Sequence, residues 1–316
     1  MQLIPREPIT IVVPVKNRAT LVLRTLKSIK AQTWRPLKVI VVDNGSTDGT
    51  PQSVQDWIDK NRSEDFEVFL EQEPKPGAAV ARNTGLQAVD TRLMMFFDSD
   101  DLMAPRHVET IMNRFHTEDE PDLVSFRVRF HPIDGEDRIT KRPGKDMMVT
   151  HICHGTLRTA GFACETALAR RSGGWDENTR GWDDLEYGSR ILMEARRKVF
   201  IPEINVDVFA QVDSITGTEF SSRKGDWERV LDKMELNFRK SRHKKRDKWI
   251  RILYFKRAIL AASYKKEKNI VAAQELMGKV LASPLLNGWQ KLYSKIAYRY
   301  TAMGGRGAAM LVNLLF

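Results

Sequence analysis

The most restrictive feature of this chain is an alternation across its first hundred residues. Short unbroken runs of β-branched and apolar residues are each followed by a stretch compatible with a helix. The runs are residues 9–15 (ITIVVPV), 37–42 (LKVIVV), 66–70 and 93–97, and the intervening stretches are 18–32, 50–58 and 78–89. Strands that are apolar on both faces and separated by helices predict an α/β fold, with a mostly parallel sheet flanked by helices. In such sheets ligands bind outside the carboxyl ends of the strands. Two polar clusters fall at such ends: residues 43–49 (DNGSTDG) after the second run and 98–101 (DSDD) after the fourth. Beyond them, a strand is expected at 123–130, a turn at Asp134-Gly135 and a helix near 185–194.

Charge divides the chain. The net charge of +10 suggests a polyanionic partner until it is located. Residues 221–316 hold 22 lysines and arginines against 7 acids, a net +15, which leaves −5 on the first 220. The basicity therefore describes the partner of a helical C-terminal region. With no nucleic-acid module in view, nucleic acid is not expected as that partner. The expected domains are 1–220 and a basic helical region, 221–316. In the latter, Trp249, Tyr254, Phe255, Trp289, Tyr293, Tyr298 and Tyr300 interleave with cations. That pattern suits a solvated helical face or an anionic membrane surface equally. Two cysteines, Cys153 and Cys164, make no disulfide framework, and neither a secretory leader nor a run of about 20 apolar residues is visible. A cytoplasmic setting is expected, peripheral to the membrane where the basic region touches it.

Asp98, Asp100 and Asp101 place three carboxylates within four residues at a strand end. Their mutual repulsion suggests a hard divalent cation, Mg²⁺ or Mn²⁺. A solvated turn is the alternative, and Asp101 is expected to cap the following helix in either case, since Pro105 lies early in it.

Together these pieces resemble the family 2 glycosyltransferases, which have the GT-A fold. The resemblance rests on residues 13–18 (VPVKNR), 42–50 (VDNGSTDGT), 77–85 (GAAVARNTG) and 98–101 (DSDD), in this order and spacing, and covers roughly residues 8–216. It implies a nucleotide-sugar donor, a UDP-sugar in particular. Pro14 and Asp43 would line the nucleoside pocket, with Val15, Asn17 and Arg18 beside them. Asp43 would accept from the base imide, a task suited to an acceptor-only carboxylate. Arg82 would meet the diphosphate, Asp98 and Ser99 the ribose side, and Asp100, with Asp98, the metal.

Inverting transfer also needs a carboxylate base. Residues 173–177 (GGWDE) and 181–186 (GWDDLE) resemble the family's second half, where an acidic pair starts a helix and its Asp is the base. Aligning that helix on Arg190 puts the pair at Asp183 and Asp184, with Asp184 as base and Asp183 or Glu186 as fallbacks. Two departures stand out: Asp183 replaces a Glu, and Gln211 falls where many relatives carry a metal-binding His, with Asp213 close by. They leave a catalytically inactive GT-A binding or scaffold protein as the competing expectation. A nucleotidyltransferase would want a glycine-rich loop after the first strand, and residues 15–19 have none. The acceptor, a glycan or lipid-linked hydroxyl, is expected to enter near residues 154–162. His151, Cys153, His154 and Cys164 lack paired zinc spacing and are expected to be ordinary thiols and surface or acceptor-pocket histidines.

Overall fold

The computed structural model describes residues 6–211, 219–305, 307, 308 and 312. In chain order the elements are β1 (Ile9–Val15), α1 (Ala19–Lys30), β2 (Leu37–Asp43), α2 (Thr50–Asn61), β3 (Phe66–Gln72), α3 (Ala78–Ala88) and β4 (Leu93–Phe96). There follow β5 (Leu102–Met103), α4 (His107–Phe115), β6 (Leu123–His131), β7 (Arg138–Ile139), α5 (Met147–His154), β8 (Phe162–Glu165) and α6 (Thr166–Arg171). The last are α7 (Asp183–Glu194), β9 (Lys198–Phe209), α8 (Lys224–Lys240), α9 (Arg246–Lys266), α10 (Ile270–Ala282) and α11 (Gly288–Ala302).

Two compact units share these elements. The first takes the residues up to Arg142, with Thr156–Asn178 and Glu194–Gln211. The second takes Pro143–Gly155, Thr179–Met193 and the residues from Glu219 on. The chain thus crosses between the units several times, the last time after Gln211.

The first unit is built on one sheet of order β3-β2-β1-β4-β8-β6-β9-β5, with β7 paired to β6. β1 to β4 pair in parallel, as their two-sided apolar runs predicted. Past β4 the sheet is mixed: β8 runs antiparallel to β4 and β6, β9 parallel to β6, and β5 antiparallel to β9. The strand order changes direction at β1, which lies between β2 and β4. That is a topological switch point, where an open α/β sheet leaves a crevice at its carboxyl edge.

Helix α3 reaches the sheet through Gly85. A Cβ there would lie 2.3 Å from Cγ1 of Val12 and 3.2 Å from Cγ2 of Val42. Both valines are fully buried and β-branched, so neither can swing aside. Ala would gain about 1 kcal/mol of helix propensity, but overpacking costs about 1–3 kcal/mol. Gly85→Ala is therefore expected to lower the urea midpoint, with an unchanged or higher midpoint contradicting this packing.

The second unit has its own core. α9 buries residues around its whole circumference, among them Trp249, Leu253, Phe255, Leu260 and Tyr264, as expected of a central helix. Its buried Arg257 pairs with Asp232 at 2.7 Å and Glu235 at 3.0 Å on α8. Trp182, Phe220 and Trp227 form an aromatic trio with ring centroids 5.1–5.8 Å apart.

Each unit also holds a neutral core histidine. Burial depresses His107, set edge-on against Phe126, to about 3. Burial likewise takes His151 down to about 4, and its Nε2 donates to the Leu185 carbonyl at 3.0 Å. Because both folded-state values lie below the ordinary 6.5, the unfolded chain binds more protons between them. This part of the stability is complete above about pH 6.5 and drains away as pH falls toward 4. At pH 5 each histidine costs about 2 kcal/mol. The urea midpoint should drop between pH 7 and 5, and less steeply in His107→Phe; equal slopes would contradict it.

Candidate active site

Most of the cluster after β2 builds the carboxyl edge of the sheet. Asn44 donates to the carbonyls of Glu73 and Lys75 at 3.0 and 2.7 Å and accepts from the Gly77 amide at 2.7 Å, tying the β2 and β3 loops together. Asn17, in left-handed backbone at φ 52°, bridges back from the β1 loop. Its amide donates to Ser46 Oγ and its Oδ1 accepts from the Thr47 amide, both at 2.8 Å. Asp48 accepts from the Thr50 amide at 3.1 Å, and the Arg18 amide donates to Thr50 Oγ1 at 3.0 Å. Thr84 holds Glu73 at 2.6 Å.

Asp43 stands apart from this lacing. It ends β2 opposite Val15, with Pro14 opposite Val42. Its side chain is 1% exposed. Oδ2 accepts from the Ser46 amide at 3.1 Å, whereas the buried Oδ1 has no hydrogen-bond partner among the described residues. A carboxylate oxygen left without a donor at the switch point is costly unless water or a ligand donor completes it.

The next group joins α3, β4 and the loop before α7. Arg82, buried on α3, donates to Asp98 Oδ1 at 3.0 Å, and its guanidinium lies 4.4 Å over the Trp175 ring. Trp175 in turn meets Phe96 edge-on at 5.3 Å. Asn83 grips the backbone of Trp175, accepting from its amide at 2.7 Å and donating to its carbonyl at 2.9 Å. Gly174 (φ 66°) permits this, since a Cβ there would sit 2.7 Å from Asn83 Oδ1. Lys75 and Glu177 close the group with an ion pair. Asn44, Asn83, Trp175 and Glu177 are contributors that the sequence reading quoted without a role.

The three acids after β4 have distinct surroundings. Asp98 faces Arg82, Ser99 is buried, and Asp100 is half-buried. Asp101 is buried, accepts from the Phe209 amide at 3.1 Å and receives Thr25 Oγ1 on its carbonyl at 2.8 Å. Burial, then the charges of Asp98 and Asp100, hold the Asp101 carboxyl well above the usual range. The expected helix cap at Asp101 is not formed. β5 follows at once, its extended backbone pairing with β9, and α4 begins only at His107.

Gln211 lies two residues beyond Phe209, hence close in sequence to the strand end that Asp101 holds, while Asp213, Ser214 and Thr216 lie outside the described residues. Among the described residues no three His, Cys, Asp or Glu side chains converge as a self-sufficient metal cage. Mg²⁺ and Mn²⁺ bound to phosphates need fewer, often one or two carboxylates with phosphate oxygens and water. Asp100 and Asp98, hard oxygen donors, fit an ion held in that way.

In the second unit Asp183 and Asp184 occupy the first turn of α7, half-buried, where negative charge is favoured. Glu186 is fully buried and committed to structure. It accepts from Arg190 Nε at 2.8 Å, Arg190 NH2 at 2.6 Å and Asn237 at 3.2 Å, and is thereby removed as a base. Lys256 was missed by the sequence reading. Its ammonium lies 4.6 Å over the Trp182 ring; burial pulls its pKa down, while Cys153 and Asp184 act in the opposite sense. Burial pushes the Cys153 thiol up to about 11 and Cys164 higher still, so both are inert thiols. The expected acceptor stretch divides, His154 falling in the second unit and Thr156–Phe162 in the first.

A cavity of about 630 Å³ lies elsewhere, lined by Arg92, Asp122, Glu165, Arg171, Arg196 and others. It sits at the amino ends of β4, β6 and β9, and its charges pair internally, Arg171 with Asp122 at 2.9 Å and Arg92 with Glu165 at 3.1 Å. It is not the ligand edge of the sheet.

Known proteins resemble the chain in both sequence and fold. The sequence pattern of glycosyl transferase family 2 matches residues 10–172. A pre-mycofactocin glycosyltransferase of Mycobacterium tuberculosis is 29% identical over 206 residues, covering 61% of this chain and 41% of that protein. The chain therefore spans less than half the length of that relative. The crystal structure of S. aureus TarS 1–349 in complex with UDP-GlcNAc superposes with a TM-score of 0.73 at 16% identity, covering 97% of this chain and 90% of that one. Mannosyltransferase PcManGT from Pyrobaculum calidifontis, in complex with GDP-Man and Mn²⁺, gives 0.58 at 23% identity, covering 98% and 88%. With half of its residues matched and the GT-A architecture in place, the chain belongs to glycosyl transferase family 2.

Proposed function

We propose that the protein transfers a sugar from a UDP-sugar to a hydroxyl of a glycan or lipid-linked acceptor, with inversion at the anomeric carbon. The observation that carries the reading is Asp43, whose buried Oδ1 lacks a partner among the described residues at the switch point of the sheet. A carboxylate oxygen there accepts from the imide N–H of uracil but repels the ring-nitrogen acceptor of cytosine. Pro14, Val15, Asn17 and Arg18 belong to the same nucleoside edge. Arg82, fixed over Trp175, offers a guanidinium to the diphosphate, and Asp98 and Ser99 lie toward the ribose. Asp100, with Asp98, would hold Mn²⁺ or Mg²⁺, an ion that neutralises charge growing on the phosphates.

In the proposed reaction Asp184 takes the proton of the acceptor hydroxyl as that oxygen bonds to the anomeric carbon. The bond from that carbon to the diphosphate breaks, and UDP departs with the bonding pair. Asp183 supports the same helix start, and Asp184 acts on the Lys256 amine against the downward pull of burial. Structures of fold relatives holding UDP-GlcNAc, or GDP-Man with Mn²⁺, support a nucleotide-sugar donor and a metal.

The test is nucleotide release from UDP-glucose, UDP-galactose and UDP-GlcNAc, with glycan and lipid-linked acceptors, Mn²⁺ or Mg²⁺, and a chelator control. Release from one UDP-sugar, stopped by the chelator, is expected. Turnover of GDP- or CMP-sugars alone would overturn the donor assignment.

A further inference from the structure

α11 turns the opposite side to the protein from an ordinary surface helix. Its buried residues are small or polar: Gln290, Ser294 and Ala297. Its outward residues are large and apolar. Trp289 is 70% exposed, Leu292 and Ile296 are 45% exposed, and Met303, just past the helix end, is 81% exposed. With Tyr300 these positions fall in an arc of about 80° at the helical spacing of 3.6 residues per turn. Lys295 and Arg299, both exposed, occupy the arc beside it, with Lys291 one step further round. A capping box fixes the register and hence the face: Asn287 Oδ1 accepts from the Gln290 amide at 2.9 Å, and Gln290 Oε1 accepts from the Asn287 amide at 3.2 Å.

Charge selects the occupant. The stripe sits in a region of net +15. A second copy seated on it through a two-fold contact would bring two such regions together, which like-charge repulsion opposes. An anionic bilayer accepts both halves of the surface, taking apolar side chains at the headgroup boundary and cations on lipid phosphates. No helix among the described residues is long and apolar enough to cross a membrane. We propose that α11 docks this protein peripherally on an anionic lipid surface, with Trp289, Leu292, Ile296 and Met303 inserted and Lys295 and Arg299 on the lipid phosphates.

The test is co-sedimentation of the full chain with phosphatidylcholine vesicles and with vesicles containing added phosphatidylglycerol, at low and high salt. Partition at least about tenfold higher into the anionic vesicles, weakened by salt, is expected. Lys295→Gln with Arg299→Gln should cut it by about thirtyfold, near fivefold per cation. Trp289→Ser with Met303→Ser should cut it about tenfold or more. Both double variants should melt like the wild type, since the replaced groups are exposed. Equal partition of wild type and Trp289→Ser/Met303→Ser, or no preference for anionic vesicles, would overturn the proposal. So would a concentration-dependent doubling of mass in light scattering that Trp289→Ser/Met303→Ser abolishes, which would place a second copy on the stripe.

Discussion

Asp184→Asn should lower kcat by about 10²–10⁴-fold while leaving donor affinity unchanged. The amide keeps the size of the carboxylate but cannot take a proton, and general-base assistance is typically worth that factor. Asp184 lies in the first turn of α7, where an amide is also tolerated, so the melting temperature should move little. Steady-state transfer rates, set beside UDP affinity by calorimetry, separate the two effects. Asp183→Asn should cost far less. If the losses were reversed, the base would be Asp183; if both variants kept activity within tenfold, neither acid would be the base. Glu186 is no substitute, because Arg190 and Asn237 already hold its buried carboxylate.

Asp43→Asn should weaken UDP binding by about 10–100-fold, the value of one charge-assisted hydrogen bond. The wild-type carboxylate serves two donors: Oδ2 takes the Ser46 amide, and Oδ1 remains for the base. An asparagine has one oxygen and can satisfy only one of them. The amide keeps the size of the carboxylate and an oxygen for the Ser46 amide, so the variant should fold with nearly unchanged stability. Calorimetric titration with UDP measures the loss. An unaltered dissociation constant would mean that the base does not meet Asp43.

The first half of this fold was legible because its strands announce themselves. β1, β2 and β4 are buried on both faces, and such runs need neighbours on each side, so parallel pairing and loops at their carboxyl ends followed. The far half was not. β8 has four residues and β5 two, too few to carry a period, and their partners are distant in the chain. β5 is also why Asp101 failed as a helix cap. Within the site, the residue types at strand ends were readable, but the stack of Trp175 on Arg82 joins residues that nothing local connects. Lys256 escaped for the same reason: Trp182, Cys153 and Asp184 are distant from it in the chain, and only folding brings them to it. The tail's cations and aromatics were visible in sequence. Their meaning depended on helical phase, which the capping box at Asn287 sets.

The most direct test of the central claim is the melting temperature of the wild type with UDP, GDP, CMP and dTDP, each with and without Mn²⁺, beside Asp43→Ala and Asp100→Ala. A ligand at a hundred times its dissociation constant stabilises by about 2.7 kcal/mol, which is several degrees for a protein of this size. The account predicts that UDP with Mn²⁺ raises the melting temperature and CMP does not. The Mn²⁺ requirement should disappear with the response in Asp100→Ala, and the response to UDP should shrink in Asp43→Ala. A wild-type protein whose melting temperature no nucleotide moves, with or without Mn²⁺, would contradict it.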